Sequence, residues 1–322
     1  MSVMNVFSLL GGLSLFLFGM KIMGEGLERT AGNRLKNILN IVTHNRVLAV
    51  LAGMGITAVI QSSSATTVMV VGFVNAGLLS LTQAVGVIMG ANIGTTVTSL
   101  MLSVKLDFGM IFACLGLALS ILPKKHPTAR AFVEVLMGLG ILFVGMDTMS
   151  GAMEPLRDWQ LFREAMTSIN NPLLGVLIGA GITAILQSSS ASVGILQALA
   201  GEGLISLHAS IYILFGQNIG TCVTALLASS GTNATAKRAA MVHLLFNVLG
   251  TILFMIISLT LPFADWVISL SPDNMRLQIA IVHVIFNVTT TAVGGGGGGA
   301  GGRGAGAGAA GGGGRGGRGR GG

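Results

Sequence analysis

The stretch "GITAVIQSSSATT", Gly55 to Thr67, sets Gln61, Ser62, Ser63 and Ser64 side by side in a region without a single charged residue from Val47 through Val104. Nearly the same words return at "GITAILQSSSASV", Gly181 to Val193. Four consecutive hydrogen-bonding side chains inside apolar sequence are costly unless each finds a partner or a ligand, and a second copy asks for the same explanation twice.

The surrounding composition decides the solvent. Hydrophobic residues make up 52% of the chain, charged residues 9%, and the mean hydropathy is +0.82, values beyond those of an ordinary soluble domain. The uncharged runs Ala165 to Gly201 and Gly203 to Ala236 are, like the first, longer than the roughly 20 residues of one helical span. Few aromatics and many Gly, Ala, Ser and Thr fit closely packed helices, not a barrel with aromatic girdles. The fold class is therefore an all-α polytopic membrane protein. Val3 to Ile22 lacks a basic leader and a cleavage site and is read as a retained helix. Cys114 and Cys222 lie in apolar segments and are read as packing residues, neither disulfide partners nor metal ligands. From Gly294 only Gly, Ala and Arg occur; 294–322 is read as a low-complexity tail outside the native structure in preference to an RNA-binding arm. Its four arginines inflate the net charge of +7, so basicity says little about partners, and no nucleic-acid partner is expected.

Gln187 follows Gln61 by 126 residues, and this offset also aligns "GANIGTTVTSL" (Gly90 to Leu100) with "GQNIGTCVTAL" (Gly216 to Leu226) at eight of eleven positions. It pairs "FGMKIM" (Phe18 to Met23) with "VGMDTM" (Val144 to Met149) and "GLLSL" (Gly77 to Leu81) with "GLISL" (Gly203 to Leu207). The chain is a gapless duplication, with a first repeat over 1–125 and a second, with a following helix, over 126–293.

In the first repeat the apolar segments are Val3–Ile22, Val47–Leu79, Ala84–Leu102 and Phe108–Leu122. The second is divided by the serine cluster into arms of about 14 and about 15 residues, each too short to cross, so two half-helices meeting at a polar tip form a re-entrant hairpin. Three full crossings per repeat remain. An odd number inverts the second repeat, the inverted-repeat plan of many secondary transporters. In Ala84–Leu102 the residues Gly90, Asn92, Gly94, Thr95 and Thr96 weaken the helix, and the expectation is an interrupted helix in each repeat whose freed carbonyls can bind a hard cation.

Serine hydroxyls and the free N–H groups at a helix start donate hydrogen bonds to an anion. A compact oxyanion could be held by Ser62, Ser63, Ser64, Ser188, Ser189 and Ser190 from two converging hairpins, with Gln61 and Gln187 orienting the tips. These regions contain no Lys or Arg, so a co-bound cation must compensate the charge. Protons lack an Asp or Glu relay in the motifs, with only His208 nearby, and Na⁺ fits better.

The paired QSSS stretches with the following "GANIGTT" and "GQNIGTC" resemble the type II sodium-dependent phosphate cotransporter family over roughly residues 5–290. The resemblance implies a bacterial member that moves inorganic phosphate with Na⁺ by alternating access, multi-pass in the inner (plasma) membrane, with a homodimer left open. It implies phosphate binding at the six serines, and a sodium or substrate shell at Gln61, Thr66, Asn92, Thr95, Gln187, Ser192, Asn218 and Thr221. The family's longer extramembrane segments and the soluble C-terminal domain of some bacterial members are not found here. An exporter, a carrier of sulfate or a dicarboxylate, and a non-transporting receptor or scaffold stay open as alternatives. An enzyme is not expected, since the serines have no His or Lys base at a readable spacing and no metal motif exists beyond the sodium.

Three further readings complete the chain. "HLLFN" (His243 to Asn247) and "HVIFN" (His283 to Asn287) are taken as helix-packing polar residues. Glu25 to Arg46 is expected to form an interfacial helix or arm. The side of hairpin one collects Arg29, Arg34, Lys36, Arg46, Lys124, Lys125, Arg130, Lys237 and Arg238, against Lys105, Arg157, Arg163 and Arg276 opposite, so hairpin one opens from the cytoplasm.

Overall fold

A computed structural model describes residues 2–31, 45–104, 109–121, 126–161, 164 and 171–301. Every regular element among them is helical: α1 (Val3–Ala31), α2 (Arg46–Ile60), α3 (Ser63–Asn75), α4 (Leu81–Ser103), α5 (Gly109–Ile121), α6 (Pro127–Met153), a 3-10 turn (Glu154–Asp158), α7 (Pro172–Leu186), α8 (Ser189–Gly201), α9 (Leu207–Ser229), α10 (Ala234–Thr260), α11 (Phe263–Leu270) and α12 (Met275–Gly301). Six of these, α1, α4, α6, α9, α10 and α12, are long and apolar enough to cross a membrane. Large apolar side chains such as Ile185, 83% exposed, and Phe7, 66% exposed, stand on the outside, where lipid and not water is the compatible solvent.

The 126-residue offset reappears in the helices. α2 and α7 have 15 residues each, α3 and α8 13, α4 and α9 23, and each pair begins 126 residues apart. The cap residues recur with them. Asn45 and Asn171 cap α2 and α7, and Ser80 and Ser206 cap α4 and α9, Ser80 in a capping box with Gln83. α2 and α7 end on Gln61 and Gln187 in the left-handed region (φ 59° and 52°), and Ser62 and Ser188 start the next helices by accepting from Ala65 N and Ala191 N. At roughly 22 and 20 Å, these arms are shorter than the ~30 Å of hydrocarbon a spanning helix must cross.

α4 and α9 are unbroken, which corrects the expected interruption. The glycines serve close approach instead. A Cβ on Gly90 would run into the backbone of Val50, and one on Gly94 would meet Met54 O at 2.6 Å and Thr57 Cβ at 2.7 Å; Gly216 and Gly220 stand in the same relation to Val176 and Ala180. The threonine hydroxyls bond back along their own helix, Thr95 to Ala91 O (3.1 Å) and Thr221 to Gln217 O (2.9 Å). No carbonyls are freed there for a cation.

These contacts also fix direction. Numbers rise together along α2 and α4, and along α7 and α9, so each pair is parallel, with α3 or α8 following α2 or α7 in the chain. α1 and α6 run antiparallel: Gly12 backs onto Gly145 and Met149, Gly19 onto Gly138, and Gly26 onto Ala131 and Val135. Gly12 and Gly138, and Gly19 and Gly145, are 126 residues apart, so exchanging the two halves maps this contact onto itself.

The remaining expectations fare differently. Glu25 to Ala31 is the last part of α1, not a separate interfacial helix, and Arg29 there pairs with Glu134 of α6 at 2.6 Å; residues 32–44 of the expected arm lie outside the described residues. The expected crossing Phe108–Leu122 is described only as the 13-residue α5, too short alone to span, whereas its repeat mate α10 has 27 residues. α12 runs on into the glycine tail as far as Gly301, and 302–322 lie outside the described residues. Phe215, Phe254, Phe263 and Phe286 make ring contacts in the core of the second half, with Phe215 and Phe286 stacked at a centroid distance of 5.2 Å.

Candidate functional site

The two hairpins meet tip to tip. Ser63 Oγ and Ser189 Oγ are 3.3 Å apart, Ser64 Oγ donates to Gln187 O at 3.4 Å, and Ser64 Oγ is 3.2 Å from Thr224 Oγ1. Both tips are helix N-termini whose first N–H groups, at Ser63, Ser64, Ser189 and Ser190, lack intrahelical acceptors. The N-terminal ends of two helices, each carrying a partial positive charge, thus meet among hydroxyl groups.

Beneath each tip a buried hydroxyl pair ties the arms together: Thr57 donates to Thr66 at 3.0 Å, and its mate Thr183 to Ser192 at 2.8 Å. Ser62 and Ser188 are occupied as caps, and Ser190 is buried behind the second tip. Gln61 is buried, donates to Ala58 O and accepts from Thr98 Oγ1 at 2.8 Å, while Gln187 is exposed. Gln217 Nε2 holds Ser192 O at 3.0 Å.

The asparagines lead elsewhere. Asn92 Nδ2 donates to Asn247 Oδ1 (3.2 Å) and Asn92 Oδ1 faces His243 Nε2 (3.2 Å), joining α4 to α10, and Asn218 Nδ2 bonds its own helix at Leu214 O. His243 and Asn247 thus do pack helices together, with Asn247 also reaching Cys222 Sγ at 3.3 Å.

A cleft of about 260 Å³ opens beside the tips, lined by Gln61, Ser62 and Ser188 and, from α1, by Lys21, Glu25 and Glu28. The motifs themselves contain no basic residue, but this cleft does, which corrects the picture of a site without fixed positive charge. Lys21 was missed because it belongs to a different helix; its signal was the repeat pairing of "FGMKIM" with "VGMDTM". Thr98 and Thr224 were missed too, though both stand at the same place in the second motif, 126 residues apart.

The sequence profile of the Na+/Pi-cotransporter family matches residues 15–151 and again 156–288, so the two halves match it separately. The chain belongs to the Na+/Pi-cotransporter family. This is a family of transporters and not of enzymes, and with six helices suited to crossing, the chain is a multi-pass membrane protein. It is 35% identical over 280 residues to "Uncharacterized protein YqeW" of Bacillus subtilis (strain 168), covering 85% of this chain and 89% of that one. It is 30% identical over 288 residues to "Putative inorganic phosphate export protein YjbB" of Salmonella typhimurium, covering 89% of this chain but 52% of the relative, so it spans about half of that protein. A shorter match, 43% over 94 residues, reaches "Sodium-dependent phosphate transport protein 2C" of Homo sapiens, 28% of this chain and 16% of the relative. No solved structure matches the chain significantly.

Proposed function

We propose that the chain is a secondary transporter that couples Na⁺ to the movement of inorganic phosphate across the inner membrane by alternating access. Two inverted repeats, 1–125 and 126–293, each contribute one re-entrant hairpin. The observation that carries this reading is the meeting of two helix N-termini at Ser63 and Ser189. Hydroxyls and N–H groups converging there suit a tetrahedral oxyanion, which offers acceptors in every direction. The antiparallel, self-exchanging contact of α1 with α6 supports an inverted duplication, since a dyad relating antiparallel crossing helices lies in the membrane plane.

Ser62, Ser63, Ser64, Ser188, Ser189 and Ser190 form the anion shell, and Gln61 and Gln187 set the tip conformations. Sodium is best served by side-chain oxygens near the tips, with Thr66 and Ser192 in buried hydroxyl pairs, and Asn92, Thr95, Asn218 and Thr221 as an outer shell. Lys21 is offset in the cleft by Glu25 and Glu28, so the dianion still needs a cation. The relative named as a phosphate export protein favours a second reading in which the same site works outward.

Phosphate uptake into proteoliposomes should require a Na⁺ gradient, and Na⁺ should raise phosphate affinity about tenfold, roughly 1.4 kcal/mol, with phosphate raising Na⁺ affinity equally. Equal phosphate affinity in Na⁺ and in choline would contradict sodium coupling.

A further inference from the structure

Arg276, in the first turn of α12, is 7% exposed, yet no carboxylate among the described residues pairs with it. Its Nη2 donates to Ser150 Oγ of α6 at 3.1 Å, and its Nε is buried without a partner. The guanidinium packs close against Gly201, where a Cβ would come within 3.0 Å of Nη2 and 3.1 Å of Cζ. One turn before, fully buried Gln197 donates to Arg276 O (2.9 Å) and Ser99 O (3.0 Å) while its own Oε1 is unpaired. A buried cation without a counter-charge is strongly unfavourable, so packing alone is a poor reason for it.

The repeat shows where this group stands. Ser150 is the mate of Gly24, which lines the open cleft; Gln197 and Ser99 are the mates of Val71 and Ala225, which sit in an apolar cluster. This polar group, drawn from both halves, therefore has no counterpart at its mate positions, and Ser150 places it opposite the open cleft by the repeat. There α8 packs against α6, whereas its mate α3 has no comparable packing against α1.

We propose that Arg276 latches this second access route shut and, once α8 leaves α6, becomes the counter-charge for the oxyanion passing along it. The inference rests on the carrier reading above. Opening the route by the symmetry of the repeats breaks the bond to Ser150 and uncovers the guanidinium. Its free Nε and Nη groups form the planar fork that recognises an oxyanion in bidentate fashion.

The test uses the full chain with Cys114→Ser and Cys222→Ala, a Ser99→Cys reporter, a membrane-impermeant thiol reagent and calorimetry with inorganic phosphate in Na⁺. Ser150→Ala should speed modification of the reporter about tenfold and leave phosphate affinity within about threefold; Arg276→Met should speed modification and also weaken phosphate about tenfold, with Arg276→Lys losing less. A folded Arg276→Met with parental affinity, or a Ser150→Ala reporter as protected as the parent's, overturns the latch. Should Arg276→Met fail to fold, Ser150→Ala and Arg276→Lys decide by the same criteria. A parent chain that binds no phosphate refutes the carrier reading itself and the inference with it, an outcome distinct from a parent that binds normally while the variants do not differ.

Discussion

The two QSSS hairpins share their words, helix lengths and caps, but not their neighbours. Gln61 is buried with its oxygen held by Thr98, whereas Gln187 is exposed and the mate of Thr98, Thr224, turns across to Ser64. The first hairpin leans on α1 through α2, and the second leans on α6 through α8. Local sequence thus dictates how each QSSS segment is built, and tertiary packing dictates which neighbours it meets. On the carrier reading proposed above, identical elements in two environments would let each repeat adopt the other's surroundings at little cost in local structure.

The comparison breaks most visibly at the glycines, where the halves should respond alike. Gly90→Leu and Gly216→Leu each force α4 off α2 or α9 off α7, and each should cost about 3 kcal/mol or more, beyond ordinary overpacking because the obstacle is backbone. Thermal unfolding in detergent checks this, and a tolerated leucine in one half alone would end the claim of equivalent scaffolds. The threonines should respond unequally. Thr98→Val strands a buried amide oxygen and should cost about 1–3 kcal/mol, whereas Thr224→Val removes only a partly exposed hydroxyl contact, about 0.5–1.5 kcal/mol. The reverse ranking in denaturant titrations would show that the environments have been assigned to the wrong hairpins. The smallest effect belongs to Lys21→Met, which should weaken phosphate about two- to threefold at low ionic strength and almost not at all in high salt, because the residue is exposed. A salt-independent loss would make Lys21 a direct ligand.

Some of this was legible beforehand and some was not. The break between two short helices at each QSSS motif could be read because a polar cluster divides an apolar run into arms too short to cross, and the caps Ser62 and Ser188 sit inside the motif itself. The glycine motif was misread because glycine weakens a helix in water but in a membrane more often admits a neighbouring backbone, and nothing in "GANIGTT" distinguishes the two uses. The meeting of Ser63 with Ser189, the cleft lining from α1 and the burial of Arg276 depend on which helices pack together, and the residues that meet there lie far apart in the chain.

The central claim is that both tips serve one anion. Titration calorimetry of inorganic phosphate into the purified chain in Na⁺ tests it, using the parent, Ser63→Ala and Ser189→Ala. The account predicts one phosphate per chain and a loss of roughly ten- to a hundredfold in each variant, as expected for removing one donor to a charged ligand. Two phosphates per chain, or a loss confined to one hairpin, would contradict it.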